Sequence, residues 1–374
     1  MFMPEALPVR RSFERPIQRP VFVGDEERHF AKDGLSNTMS SWEDGARTDM
    51  SPGTFEWWYF EAHADDGTLI IIIFFSKPMI KVDGPPAPFV NVRIIMPDGK
   101  THRVESSCDA GTFVAAHDRC CITVGANQVI GSLAGYHLHI DIDSVHCDLS
   151  FTPLAPPWRP GTGKLYFGPA EDRYFGWVVP MPSGSAVGQL EIAGKRRSIK
   201  GSGYHDHNWG TIALTKAWNS WWWSRARVGD FTVLAAELTT TPAFGSNKIH
   251  LLMVANGDRL YFDDSSRTSL VCKDLVHEPE SRKNMPRALT FFYEHEGTSL
   301  FLSLRQEQEL FRHNFLRKVP AWKKIAARLA GIDPWYYRFR GKASLHLTHQ
   351  GISVIEEGTT IFERMCFGPD IPGR

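Results

Sequence analysis

The sequence predicts an all-β protein: two antiparallel barrels or half-barrels that meet near residues 210–220, with one short helix in the second. Three observations predict this. Apolar and polar residues alternate in short runs, most strictly in Tyr136-His137-Leu138-His139-Ile140-Asp141-Ile142, the period of a half-buried antiparallel strand. Two- and three-residue turn signals separate the runs. The 374 residues exceed one ordinary core and suit two units of about 150–190 residues each.

The elements follow in order. Residues 1–45 are rich in Pro, Arg and acids with weak periodicity, and read as an arm on the surface. A first domain spans 46–212. In it, Phe55 to His63 and Thr68 to Phe75 flank the hairpin turn Asp65-Asp66-Gly67, and Phe89 to Met96 runs into Pro97-Asp98-Gly99. Short strands continue to Ile199. The second domain, 213–374, opens on a Trp-rich stretch. Trp221 to Val228 and Phe231 to Leu238 flank Gly229-Asp230; Ile249 to Ala255 and Leu260 to Asp263 flank Asn256-Gly257. Leu289 to Tyr293 and Ser299 to Leu304 flank His295-Glu296-Gly297, and strands return at Lys342 to Thr348 and Thr359 to Met365. Helical spacing is clear once: Trp322, Ile325, Ala326 and Leu329 fall at i, i+3, i+4 and i+7 between Pro320 and Gly331.

Composition narrows the function. Basic and acidic residues balance at 42 each, so no net field draws the chain to nucleic acid. Twelve Trp and 24 Phe supply the large apolar area that lines pockets for greasy ligands as readily as it fills cores. The longest apolar run, Leu69 to Phe75, is too short to cross a bilayer. The first 40 residues lack a secretory apolar core, and the six Cys show no CxxC spacing; the expectation is a cytoplasmic protein with reduced thiols.

The densest chemistry lies in Gly201-Ser202-Gly203-Tyr204-His205-Asp206-His207-Asn208-Trp209-Gly210. In an extended chain Tyr204, Asp206 and Asn208 share one face, and His205, His207 and Trp209 the other. A phenol, a carboxyl and an amide in a row can donate a proton and then hold the resulting charge. The rival readings are a polar network that closes the interface between barrels, and a metal held by His205 and His207. Alternate strand positions give that metal only two ligands on one face, so none is expected. In Phe55–His63 the even positions Glu56, Trp58, Phe60 and Ala62 form an apolar row with one acid, while Tyr59, Glu61 and His63 suit solvent or a rim. Glu56 is therefore a catalytic candidate, or the partner of an Arg at a barrel mouth. Trp221, Trp223, Arg225 and Arg227 share a face; if it looks inward, indoles stack over a substrate and Arg225 can pair with Asp206 or an anionic substrate group.

The Glu-Trp-Trp-Tyr start, the Tyr-x-Asp-x-Asn-x-Gly segment, and the late Trp335-Tyr336-Tyr337-Arg338-Phe339 with Glu356-Glu357-Gly358 and Glu363 resemble the carotenoid 1,2-hydratase (hydroxyneurosporene synthase) family. Kievitone hydratase-like and AttH-type lipocalin-like proteins group with it. The resemblance covers about residues 50–366. It implies a pair of lipocalin-like barrels or half-barrels, no metal, no redox cofactor, and acid chemistry on a carbon–carbon double bond, with Asp206 protonating the alkene. Tocopherol cyclase-like proteins and decalin-forming Diels–Alderases are similar in architecture only.

The expectation is thus a cofactor-independent hydratase or cyclase acting on a polyene, terpenoid or polyketide. Its catalytic residues are Asp206, Tyr204 and Glu56, and its substrate-binding residues Trp58, His205, Asn208, Trp221, Trp223, Arg225 and Tyr337. The alternatives are a pericyclic cyclase in the same pocket, or a non-catalytic lipid carrier. Residues 317–331, basic through Arg317, Lys323, Lys324 and Arg328, read as an ordinary packed helix, as a lid, or as a contact with a membrane surface.

Overall fold

The computed structural model describes residues 21–79, 82–317, 319–329 and 331–369. The alternating runs form two antiparallel sheets, of thirteen and nine strands. The first runs from the edge strand Thr101–Ser107 through Phe89–Ile95, Leu69–Phe75, Phe55–Ala64, Lys195–Gly210, Tyr174–Ile192, Val145–Pro153, Gly135–Ile142, Asn127–Ser132 and Cys121–Val124 to Val114–Ala115. Val21–Val23 joins it through Lys164–Phe167, which pairs with Tyr174–Ile192. The second runs Arg259–Phe262, Lys248–Asn256, Phe231–Thr240, Trp218–Val228, Ile352–Cys366, Trp335–His349, Thr298–Asn314, Lys283–His295, Ser269–Glu278. Among the described residues the end strands of neither sheet pair with each other, so both are half-barrels.

The turns sit where the sequence puts them. Gly67, Gly99, Gly229 and Gly257 all have positive φ at the predicted hairpins, a conformation that only glycine adopts freely. Each sheet curls around its own core. Trp58, Phe60, Ile72, Val92, Leu138, Ile140 and Phe151 fill the first; Phe291, Leu302, Trp335, Tyr337, Phe339 and Leu345 fill the second. A third apolar cluster joins them. It takes Trp57, Phe75, Trp177 and Tyr204 from the first sheet, and Trp218, Trp223, Leu234 and Met365 from the second. The outer face of one half-barrel is thereby buried against the outer face of the other.

Two expectations need correction. Residues 1–20 of the surface arm lie outside the described residues, but 21–45 are built in. They supply a strand, the helix Glu27–Asp33 and a 3₁₀ turn, Ser41–Asp44, that buries Glu43 and Asp44. The late helix, Ala321–Leu329, has no buried residue. Its apolar face is turned outward, with Trp322, Ile325 and Leu329 exposed at 68%, 61% and 85%; it does not pack as an ordinary surface helix would. Among the described residues no helix is long and apolar enough to cross a membrane.

Candidate functional site

The Lys195–Gly210 strand lies between Tyr174–Ile192 and Phe55–Ala64. Pleating sends its alternate side chains to opposite faces, and register decides what each meets. Asp206 lies opposite Tyr59, Tyr204 opposite Glu61 and Asn208 opposite Trp57; on the other side Asn208 lies opposite Trp177. These residues face the second sheet. His205 lies opposite Phe60, His207 opposite Trp58 and Trp209 opposite Glu56, and these point into the first half-barrel. One strand therefore feeds two separate polar clusters.

In the inter-sheet cluster, Asp206 accepts from neutral donors only. Tyr204 Oη donates to Oδ2 at 2.7 Å, Trp177 Nε1 to Oδ2 at 3.3 Å, and Asn208 Nδ2 to Oδ1 at 2.9 Å. Asp206 forms no ion pair among the described residues. Burial pushes its carboxyl up to about 7. The Tyr204 bond, the nearby His205 and the Trp177 bond pull it down, and the charge of Glu363 adds to the rise. Asp206 is half-buried, with Tyr204, Trp177 and Asn208 closing on its carboxyl. Tyr59, Trp221, Tyr336 and Glu363 are half-buried beside it. Trp223 packs edge-on against the Tyr204 ring, centroids 5.2 Å apart.

Beside this acid lies a charged lattice. Glu61 is fully buried, pairs with Arg338, and accepts from Arg225 Nη2 at 3.2 Å and Tyr59 Oη at 2.5 Å, with His63 Nε2 2.6 Å away. Burial alone would raise its pKa, but Arg338, His63 and Arg225 together hold it far below the usual carboxylate range. Arg338 also bonds Glu363, which accepts from Tyr336 Oη and, at 3.1 Å, from Trp221 Nε1. The site thus holds two kinds of carboxyl: Glu61, ionised and neutralised, and Asp206, poised between its charge states.

The inner cluster is sealed. His205 Nδ1 lies 2.9 Å from the Tyr59 carbonyl, which can only accept, so this nitrogen carries hydrogen. Its Nε2 lies 3.0 Å from Asp44 Oδ2, which also accepts from Tyr136 Oη at 2.9 Å. His207 Nε2 is 2.8 Å from Glu56 Oε1, and Glu56 accepts further bonds from the Arg47 and Thr48 amides and the Thr48 hydroxyl. Phe60 stacks on His205 and Trp58 on His207.

Several predicted roles are corrected by this parity. Glu56 and Trp58 are not on the Asp206 side: even positions of Phe55–Ala64 pair with odd positions of Lys195–Gly210, so they lie in the closed interior with His205, whose expected contact with substrate is lost there. Among the described residues Glu56 forms no ion pair with an Arg, though its charge favours the charged form of the nearby Arg47 side chain. Tyr59, Glu61 and His63 do not look to solvent, because the second half-barrel covers them. Arg225 pairs with Glu61 and donates to the Gly203 carbonyl at 3.0 Å, not to Asp206. Tyr337 is fully buried in the core of the second half-barrel, stacked between Trp335 and Phe339; its neighbours Tyr336 and Arg338 face Asp206's side. Tyr204, Asp206, Asn208, Trp221 and Trp223 do come together. Trp177 joins the site without any local signal in the sequence, and Asp44 comes from the segment that reads as an arm.

Asp44, Cys120 and His205 bring donor atoms within 4.8 Å of one another. All three are buried, and Asp44 and His205 are already within hydrogen-bond distance of each other, so the grouping is that of a structural polar network. A cleft of about 420 Å³, lined by residues such as Phe262, Tyr293, His295 and His349, opens at the end of the second sheet. None of residues 204–208 reaches it.

The sequence profile of the Svf1 family matches residues 54–367. Over 213 residues the chain is 23% identical to the quinolone epoxide rearrangement protein penF of Penicillium thymicola, covering 50% of this chain and 57% of that one. Over 252 residues it is 23% identical to the ceramide-binding protein SVF1 of Yarrowia lipolytica, 61% and 62% covered. Over 208 residues it is 26% identical to the hydroxyneurosporene dehydrogenase of Chlorobaculum tepidum, 47% and 54% covered. Each match thus spans less than two thirds of the relative. The fold is shared with CghA solved with Sch210972 (TM-score 0.58, 13% identity, 90% and 97% covered) and with kievitone hydratase from Nectria haematococca (TM-score 0.51, 14% identity, 89% and 97% covered). These findings agree with the resemblance read from the motifs, and with a profile match over most of its length the chain belongs to the Svf1 family.

Proposed function

We propose that the chain is a cofactor-independent, non-redox enzyme that uses Asp206 as a general acid on a carbon–carbon double bond of a lipophilic ligand held between the half-barrels. One observation carries this reading: a carboxyl held near neutrality by burial, bonded to three neutral donors and to no cation. A group with that pKa is still substantially protonated near neutral pH yet acidic enough to donate, the balance that general acid catalysis requires. Tyr204 and Trp177 stabilise the carboxylate left behind. Capture of the cation by water gives hydration; capture by an internal alkene or hydroxyl gives cyclisation. The names of the relatives, a rearrangement protein among them, favour this general kind of chemistry. A pericyclic cyclisation in the same space would use Asp206 and Tyr204 only to polarise a carbonyl.

The test is Asp206→Asn and Tyr204→Phe on a substrate found by screening polyenes, terpenoids and polyketides. Asp206→Asn is expected to lower turnover by about 10²–10⁴-fold, and undiminished turnover contradicts the reading. A carrier is the second reading, favoured by the likeness to a ceramide-binding protein. Equal ligand binding by both forms, with turnover by neither, establishes it. The outward apolar face of Ala321–Leu329 and the basic residues beside it suit contact with an anionic bilayer surface, where such a ligand resides.

A further inference from the structure

Among the described residues, two arginines at the junction of the sheets are committed to partners. Arg338 is bound by Glu61 and Glu363. Arg225 is bound by Glu61 and the Gly203 carbonyl. Arg93 is different. It sits in the Phe89–Ile95 strand, three strands from Asp206's own, and its guanidinium carbon lies over the Phe311 ring of the second sheet, 3.9 Å from the centroid. It is half-buried, and among the described residues no carboxylate or hydrogen-bond acceptor meets it. The Phe311 ring gives the guanidinium a π contact and no hydrogen-bond acceptor. The residue directly opposite on the outer strand is another cation, Arg103, which strengthens the local positive potential. The carboxylate nearest in register, Glu105, accepts from Asn91.

A half-buried guanidinium has five donors aimed in a plane, and leaving them unpaired is costly. Around it lie apolar side chains: Tyr59, Ile73, Leu310 and Phe311 pack together over Leu69 and Ile71. Cation and apolar wall together describe the binding site of an amphiphile with an acidic head. We infer that Arg93 anchors an oxyanion, a carboxylate or an acidic enol, of the lipophilic ligand bound between the half-barrels. This rests on the placement of that ligand proposed above and adds its class: an acid, not a neutral lipid. Arg93 touches the head group, while the reacting double bond lies toward Asp206.

The experiment uses the full chain, with cis-parinaric acid and its methyl ester as fluorescent probes whose tails are identical, in wild type, Arg93→Gln and Arg93→Lys. The acid is expected to bind wild type at least about tenfold tighter than the ester, the strength of one charge-assisted hydrogen bond. Arg93→Gln should weaken the acid to the level of the ester and leave the ester unchanged; Arg93→Lys should restore part of the preference. Unchanged ester binding also shows that the variant is folded. Equal binding of acid and ester by wild type, or a preference that survives Arg93→Gln, overturns the assignment of Arg93 alone. Failure of both probes to bind wild type overturns the inter-sheet site as well.

Discussion

At the scale of single residues, two carboxyls on facing strands have opposite environments, and each makes a prediction. Asp206 has a folded-state pKa raised above its ordinary value, so ionising it opposes folding. Its protonated form favours folding below pH 4, and that contribution is lost as pH rises through about 7. Asp206→Asn should therefore make the protein more stable than wild type at pH 8, by about 1–4 kcal/mol, and the difference should shrink toward pH 4. Denaturant unfolding at several pH values measures this; equal stability at every pH contradicts it. Glu61 behaves in reverse, since its ionised form is held by Arg338 and Arg225. Arg338→Met removes one counter-charge from a fully buried anion and should destabilise by about 3–5 kcal/mol. A change below 1 kcal/mol would mean that water or Arg225 compensates.

At the scale of elements, the central strand of the site was legible and its neighbours were only half so. Alternation along Tyr204–Trp209 is a property of the strand itself, so the split between Tyr204, Asp206, Asn208 and His205, His207, Trp209 could be read directly. Which residues of Phe55–Ala64 share the Asp206 face depends on pairing register, which lies between strands and leaves no mark in either. Glu56 and Trp58 were misplaced for that reason, and Tyr337 because one residue of parity separates it from Tyr336. Asp44 reaches the inner histidines from a 3₁₀ turn more than 150 residues away in sequence, beyond any local pattern. The helix Ala321–Leu329 was recognised by its spacing, but its orientation is set by what fails to cover it. With Trp322, Ile325 and Leu329 outward and Arg317, Lys323 and Lys324 nearby, it should bind vesicles rich in phosphatidylserine more than vesicles of phosphatidylcholine alone. Leu329→Asp with Trp322→Ala should abolish the binding in a sedimentation assay. Binding that is unchanged in the double variant excludes this helix as the contact.

At the scale of the whole molecule, hairpin turns and strand periodicity were enough to give two half-barrels. They could not show that the outer faces meet, since an outward residue in an isolated half-barrel is expected to be polar. Glu61, Arg225 and Arg338 satisfy that expectation and are nevertheless buried, with Glu363 half-buried beside them, because the four neutralise one another across the interface. This lattice ties the half-barrels together, and Tyr204 and Trp177 bond Asp206 beside it. On the reading proposed above, chemistry at position 206 is a product of assembly, one half-barrel supplying the acid and the other covering it.

The state of that acid can be measured without knowing a substrate. Infrared difference spectra of wild type against Asp206→Asn, followed from pH 5 to pH 9, report the carboxyl directly. A protonated carboxyl band at pH 5 that converts to carboxylate with a midpoint of about 7 is the predicted result; a carboxylate already ionised at pH 5 would contradict the account.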